Sequence, residues 1–97
     1  MAFVYVLYSP SSDTFYTGSC LDIEQRIMQH KNKEISGAFT ARHDDWELYH
    51  LISNLGYQQA RLIESHIKRM KSKAYIRNLA NYPEITLRLV KKHKCQE

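Results

Sequence analysis

The chain has 97 residues, of which 43% are hydrophobic and 25% are charged, a balance typical of one small globular domain and not of a disordered chain. No apolar run approaches the roughly 18 residues that a membrane-spanning helix needs, and the N-terminus lacks the pattern of a signal peptide. Two cysteines, Cys20 and Cys95, are too few for a disulfide framework or a zinc cluster. These features predict a soluble, cytoplasmic, single-domain protein.

The charge is unevenly distributed along the chain. Residues 1–64 carry five Lys/Arg against eight Asp/Glu, whereas residues 65–96 carry nine Lys/Arg against Glu84 alone. A basic half of this kind is typical of nucleic-acid binding, but a solvated helix surface with a basic tail explains it equally well. A membrane surface is the weakest alternative because no Trp/Phe/Leu-rich face accompanies the charges.

The first half of the chain predicts a hairpin followed by a helix. Residues 3–8 are a dense run of β-branched and aromatic residues, and residues 14–18 form a second such run after a turn cluster. Both faces of the first strand are apolar, which predicts a central strand covered on both sides. Asp22 can cap a helix that ends near His30 or Lys33, and residues 34–45 resemble a loop.

The second half predicts a strand over 46–52, a helix over 57–70 and a short helix over 73–80 that Ser72 caps. The segment after Pro83 is compatible with a strand or a helix. We therefore expect a mixed α/β (α+β) domain with a small, mostly antiparallel three-stranded sheet flanked by helices. Its boundaries are placed at 1–82, with a basic extension at 83–97 that packs on this domain or trails from it. The side chains expected to be buried on these helices are Ala60, Ile63, Ile67, Met70, Tyr75, Ile76 and Leu79.

Polar residues occupy positions where apolar ones are expected. Arg26 flanks the inward stripe of the first helix, and Glu64 flanks that of the second. Burying one such charge is costly, so each needs a salt-bridge partner, a metal ion or a solvent-filled cleft. The two could pair with each other, or both could line a functional cleft. Tyr5 and Tyr16 are compatible with core positions that keep the hydroxyl at the rim. His30, one turn after Arg26, is compatible with a helix cap or with a catalytic role.

Five short motifs follow one another in a recognisable order. They are Phe3-Val4-Tyr5, Tyr16-Thr17-Gly18, Asp22-Ile23-x-x-Arg26-Ile27-x-x-His30, Phe39-Thr40-Ala41-Arg42 and Ala60-x-x-x-Glu64-x-x-Ile67-Lys68. Together they resemble the GIY-YIG nuclease superfamily, in particular its small single-domain bacterial members, and are similar to the N-terminal domain of the excision-repair nuclease subunit. The chain departs from the superfamily pattern at Phe3, Val4 and Thr17, and keeps both tyrosines and Gly18.

The resemblance implies the GIY-YIG endonuclease fold and metal-dependent hydrolysis of DNA phosphodiester bonds. Glu64 would hold one Mg²⁺ or Mn²⁺ ion, weakly in the absence of substrate. Arg26 would neutralise the scissile phosphate, while Tyr5 would orient or deprotonate the attacking water, with His30 as a relay. The implied catalytic residues are Tyr5, Tyr16, Arg26, His30 and Glu64.

DNA is the implied partner, and RNA is not excluded. Asn78 is the nearest match to an asparagine that many family members carry after the glutamate. Two alternatives remain open: a non-catalytic nucleic-acid-binding module, and a catalytic subunit that a protein partner directs to its substrate. Neither the partner nor the oligomeric state follows from the sequence. The residues expected to contact nucleic acid are Gly18, Thr40, Arg42, Lys68, Lys71, Lys73 and Asn78.

Overall fold

A computed structural model describes residues 1–31 and 45–94. In these ranges three strands and four helices follow in an order that confirms the mixed α/β class. The strands are β1 (Ala2–Ser9), β2 (Thr14–Cys20) and β3 (Glu47–Leu55), and the helices are α1 (Ile23–Lys31), α2 (Tyr57–Met70), α3 (Lys73–Asn81) and α4 (Pro83–Lys92).

The three strands form one antiparallel sheet in the order β2-β1-β3, which confirms the central position predicted for the first strand. Tyr5 lies opposite Gly18 on β2. On its other side β1 pairs with β3 as far as Leu55, three residues beyond the predicted end. The polar end of β3 resembles a turn in sequence. It is instead an irregular part of the ladder, with a register shift near Ala2 and a left-handed Asn54.

The sheet separates two apolar cores because the side chains of β1 alternate between its faces. Tyr5 and Leu7 point to the face that α1 covers, where Ile23 and Ile27 pack against them. The other face carries the larger core, to which α2, α3 and α4 contribute. Its buried members include Val4, Val6, Ile52, Ala60, Ile63, Ile67, Ile76, Leu79 and Leu89.

Helix boundaries follow the predicted caps. The backbone N–H of Gln25 donates to Asp22 Oδ1 at 3.1 Å, and that of Tyr75 donates to Ser72 Oγ at the same distance. Met70 was expected in the core, but its residue is 44% exposed. The expectation was wrong because α2 ends there: Lys71 adopts the left-handed conformation and turns the chain toward α3, so Met70 lies at the exposed end of the helix.

The segment after Pro83 is a helix, with the proline in its first turn. Leu89 of α4 enters the larger core, and Gln59 Nε2 donates to the Val90 carbonyl at 2.8 Å. His50 Nε2 on β3 lies 3.1 Å from Thr86 Oγ1. Residues 83–92 therefore pack on the rest of the chain. None of the helices described here is both long and apolar enough to cross a bilayer.

Candidate active site

Tyr5 lies at the centre of a group of interacting polar side chains. Its hydroxyl is 2.9 Å from His30 Nε2. Burial raises the pKa of Tyr5 above its ordinary range, nearby Tyr16 adds to this, and Arg26 partly opposes it. Burial, helped by Arg26, lowers the pKa of His30 below its ordinary 6.5. Burial therefore favours the protonated phenol of Tyr5 and the neutral imidazole of His30, which share one hydrogen bond.

Arg26 is the third member of this group of side chains. Its guanidinium is within hydrogen-bonding reach of the Tyr5 hydroxyl, where the positive charge favours the phenolate form. Tyr5 and His30 are 0% and 1% exposed, respectively, whereas Arg26 is only partly buried. Tyr5 is thus buried in the free protein, and its predicted action on an attacking water stays a prediction. Tyr5 and His30 lie beneath Arg26 and hold it from the protein side.

Gly18 provides the space that the Tyr5 ring occupies. A Cβ at Gly18 would lie 2.6 Å from Tyr5 Cζ, far inside van der Waals contact. Gly18 is itself buried. The close approach that Gly18 permits is therefore between β2 and the tyrosine of β1, and its predicted contact with nucleic acid stays a prediction.

Glu64 projects from the middle of α2 and has both carboxylate oxygens engaged. Ser19 Oγ donates to Oε1 at 2.5 Å, and Lys68 Nζ lies 2.6 Å from Oε2. In the described ranges Glu64 pairs with Lys68 and not with Arg26, so the two inward charges do not balance each other. The sequence did not single out Ser19. The only signal is the strand alternation, which directs it toward the helix carrying Glu64.

A cavity of about 420 Å³ brings Arg26 and Glu64 together. It lies where β2 leads into α1, and we call it the Arg26 cavity. Since α1 and α2 cover opposite faces of the sheet, the cavity that both side chains line lies at the end of the sheet. Tyr5, Tyr16 and His30 do not line it. Its polar lining residues include Ser19, Asp22, Gln25, Arg26, Gln29, Arg61 and Glu64.

A second depression of about 370 Å³, the basic groove, lies between β2, α2 and α3. It collects three of the residues predicted to bind nucleic acid, Lys68, Lys71 and Lys73, over an apolar floor that includes Ile67 and Ile76. Tyr16 also lines it. The Tyr16 ring stands 5.1 Å from that of His30 and 5.6 Å from Lys68 Nζ, measured from its centroid.

One more described residue that was predicted to contact nucleic acid, Asn78, is not brought to these cavities. Asn78 is exposed on α3 and lines neither the Arg26 cavity nor the basic groove. Ser19, and not Asn78, is the polar residue that contacts Glu64. Thr40 and Arg42 lie outside the described residues.

The donor set around Glu64 fits a hydrated divalent ion. In residues 1–31 and 45–94 no cluster of three His, Cys, Asp or Glu side chains converges on one point, which disfavours an all-protein metal cage there. Mg²⁺ instead prefers one or two carboxylates and several waters. Glu64, the Ser19 hydroxyl beside it and the open cavity offer that combination of hard oxygens and solvent space.

The structure therefore has a small antiparallel sheet covered on both faces by helices, with an arginine and a glutamate lining one cavity at its end. The sequence model of the GIY-YIG catalytic domain matches residues 1–81 of this chain. The chain therefore belongs to the GIY-YIG family, a family of nucleases. Comparison with curated proteins and with solved structures yields no match.

Proposed function

We propose that this chain is a metal-dependent endonuclease that hydrolyses DNA phosphodiester bonds at the Arg26 cavity. The observation that carries the proposal is that Arg26 and Glu64 line one solvent-open cavity of a GIY-YIG domain. A guanidinium and a metal-ligating carboxylate are the two charges that phosphodiester cleavage needs on one site.

Arg26 binds the scissile phosphate in this proposal. Its planar fork can donate to two phosphate oxygens at once, which neutralises charge and fixes the orientation of the phosphate. Tyr5 and His30 act as positioning residues, because the Tyr5 hydroxyl shares a hydrogen bond with His30 and lies under the influence of the Arg26 charge. A group of side chains of this kind limits the positions open to the guanidinium before substrate arrives.

Glu64 holds the divalent ion, Mg²⁺ or Mn²⁺, with Ser19 orienting the carboxylate. When bound, the ion supplies positive charge for the phosphate and the leaving oxygen. Lys68, Lys71 and Lys73 bind the sugar–phosphate backbone in the basic groove without reading bases. Tyr16 forms the wall between this groove and His30.

The decisive experiment compares cleavage of labelled single-stranded, duplex, flapped and branched DNA by the wild type and by Glu64→Ala, with Mg²⁺ or Mn²⁺. We expect metal-dependent cleavage that Glu64→Ala abolishes without loss of DNA binding. Glu84→Ala, which removes an exposed carboxylate from the first turn of α4, is the matched control and keeps full activity.

Other outcomes separate the remaining functions. Salt-sensitive DNA binding without cleavage by the wild type would instead support a binding module or a subunit that needs a partner. Cleavage that survives in Glu64→Ala would contradict the assignment of Glu64.

A further inference from the structure

The Arg26 cavity and the basic groove are joined at one ion pair. Glu64 lines the cavity and Lys68, one turn later on α2, lines the groove. Lys68 Nζ and Glu64 Oε2 are 2.6 Å apart. Glu64 in the Arg26 cavity is therefore paired with Lys68 in the basic groove.

The two partners of Glu64 affect a metal ion differently. Ser19 donates to Oε1 as a neutral hydroxyl and leaves the charge of the carboxylate unbalanced. Lys68 places a full positive charge on Oε2. An ammonium group and a divalent cation compete for the same lone pairs and repel each other, so Lys68 opposes metal binding at Glu64.

Lys68 also has a second anion within reach when nucleic acid is bound. Its side chain is 49% exposed and faces the groove that Lys71 and Lys73 line. A half-exposed pair one helical turn apart contributes little to stability. A backbone phosphate in the groove can thus draw the ammonium away from Glu64 without disturbing α2.

We propose that Lys68 couples nucleic-acid binding to metal binding. In the free protein Lys68 pairs with the Glu64 carboxylate. A phosphate in the basic groove attracts the Lys68 ammonium instead, which leaves the carboxylate available to the ion. The inference rests on the proposed metal site at Glu64 and adds an order to its assembly. Because coupling between two binding sites is reciprocal, the bound ion also strengthens binding of nucleic acid.

Mn²⁺ binding, followed by the electron paramagnetic resonance signal of the free ion, tests this coupling. We expect Lys68→Met to raise the affinity of the DNA-free protein for Mn²⁺ about fivefold or more. An oligothymidylate with hydrolysis-resistant phosphorothioate linkages should raise the Mn²⁺ affinity of the wild type by a larger factor than that of Lys68→Met. Lys68→Gln gives a second, polar replacement, and circular dichroism verifies the fold of each variant.

Lys71→Met is the matched control, because it removes the same charge from the same groove at a residue that does not pair with Glu64. It should weaken oligothymidylate binding and leave the Mn²⁺ affinity of the DNA-free protein unchanged. An equal rise in Lys68→Met and Lys71→Met would reduce the effect to net charge and overturn the coupling through Lys68.

A Glu64→Gln variant separates this inference from the proposed function. If Glu64→Gln abolishes Mn²⁺ binding while Lys68→Met and Lys68→Gln leave the affinity unchanged, the coupling is wrong and the metal site stands. If Glu64→Gln binds Mn²⁺ as well as the wild type, the metal assignment fails, and the coupling fails with it.

Discussion

The hydroxyl of Tyr5 is the atom on which the geometry of Arg26 depends. Tyr5→Phe keeps the ring against Gly18 but removes the hydroxyl, which bonds to His30 and interacts with the Arg26 charge. Because a small misplacement of a phosphate-binding group is costly, we expect kcat to fall on the order of 10²-fold, with a smaller change in KM. Steady-state cleavage kinetics measure this. Tyr75→Phe, at a half-buried tyrosine on α3, is the control and should keep wild-type kinetics.

His30 makes the stability of the folded protein sensitive to acid. Burial lowers its pKa in the folded state, whereas the unfolded chain titrates near the ordinary value of 6.5. The unfolded state therefore binds the proton first, so the contribution of His30 to stability is complete above about pH 6.5 and declines as pH falls through its lowered pKa.

We accordingly expect the stability difference between wild type and His30→Gln to shrink as the solution is acidified. Urea unfolding across this range measures the difference. Three other described histidines, His50, His66 and His93, also have lowered pKa values, and the comparison with one variant removes their shared contribution. A difference that grows toward acid pH would show that His30 is charged in the folded state.

Among the secondary-structure elements, Asp45 links the segment that leads into β3 to the end of β1 and the turn that follows it. Asp45 accepts from Ser9 Oγ at 2.6 Å and from the backbone N–H of Ser11 at 2.8 Å. These bonds lower its pKa from 3.8 to about 2. The stabilisation is therefore present above about pH 4 and is lost as pH falls through the lowered pKa.

Asp45→Asn should lower the melting temperature at neutral pH, because the amide replaces one acceptor oxygen with a donor. The gap between the two melting temperatures should narrow as the pH approaches 2. Thermal unfolding followed by circular dichroism at several pH values measures it. A gap of constant size would mean that the contacts of Asp45 do not depend on its charge.

The elements with strong local signals could be predicted from the sequence. The bounds of α2 and the Ser72 cap follow from helical periodicity and cap chemistry, both of which are local. The last segment, around Ile85 and Leu89, could not be assigned because its apolar spacing suits either structure. Contacts with α2 and β3, which are distant in sequence, accompany its helical form.

Some features of the candidate site could also be predicted from the sequence, and others could not. The inward charges of Arg26 and Glu64 violate a local rule, so the sequence could mark them as residues of interest. The bond from Ser19 to Glu64 joins residues 45 positions apart, and only the folded sheet shows it. The burial of Tyr5 likewise depends on Gly18 across the strand pair and on the helix above.

At the scale of the whole molecule, the basic half of the chain is distributed over more than one surface. Lys68, Lys71 and Lys73 line the groove beside Glu64, whereas Lys91 and Lys92 end α4 and lie outside that groove. If DNA binds to the basic surface as a whole, all of these lysines contribute equally to DNA binding. If a bound strand follows the groove to the Arg26 cavity, Lys68, Lys71 and Lys73 contribute more than Lys91 and Lys92.

The salt dependence of DNA binding distinguishes these two arrangements. Each phosphate contact that is lost lowers the slope of log K against log salt by about one, because fewer counterions are released. We expect Lys71→Gln to reduce the slope by about one, and Lys91→Gln to leave it unchanged. Fluorescence anisotropy with one labelled DNA over a series of salt concentrations measures both. Equal reductions would place the strand across α4 as well, and the route from the groove to the Arg26 cavity would then be wrong.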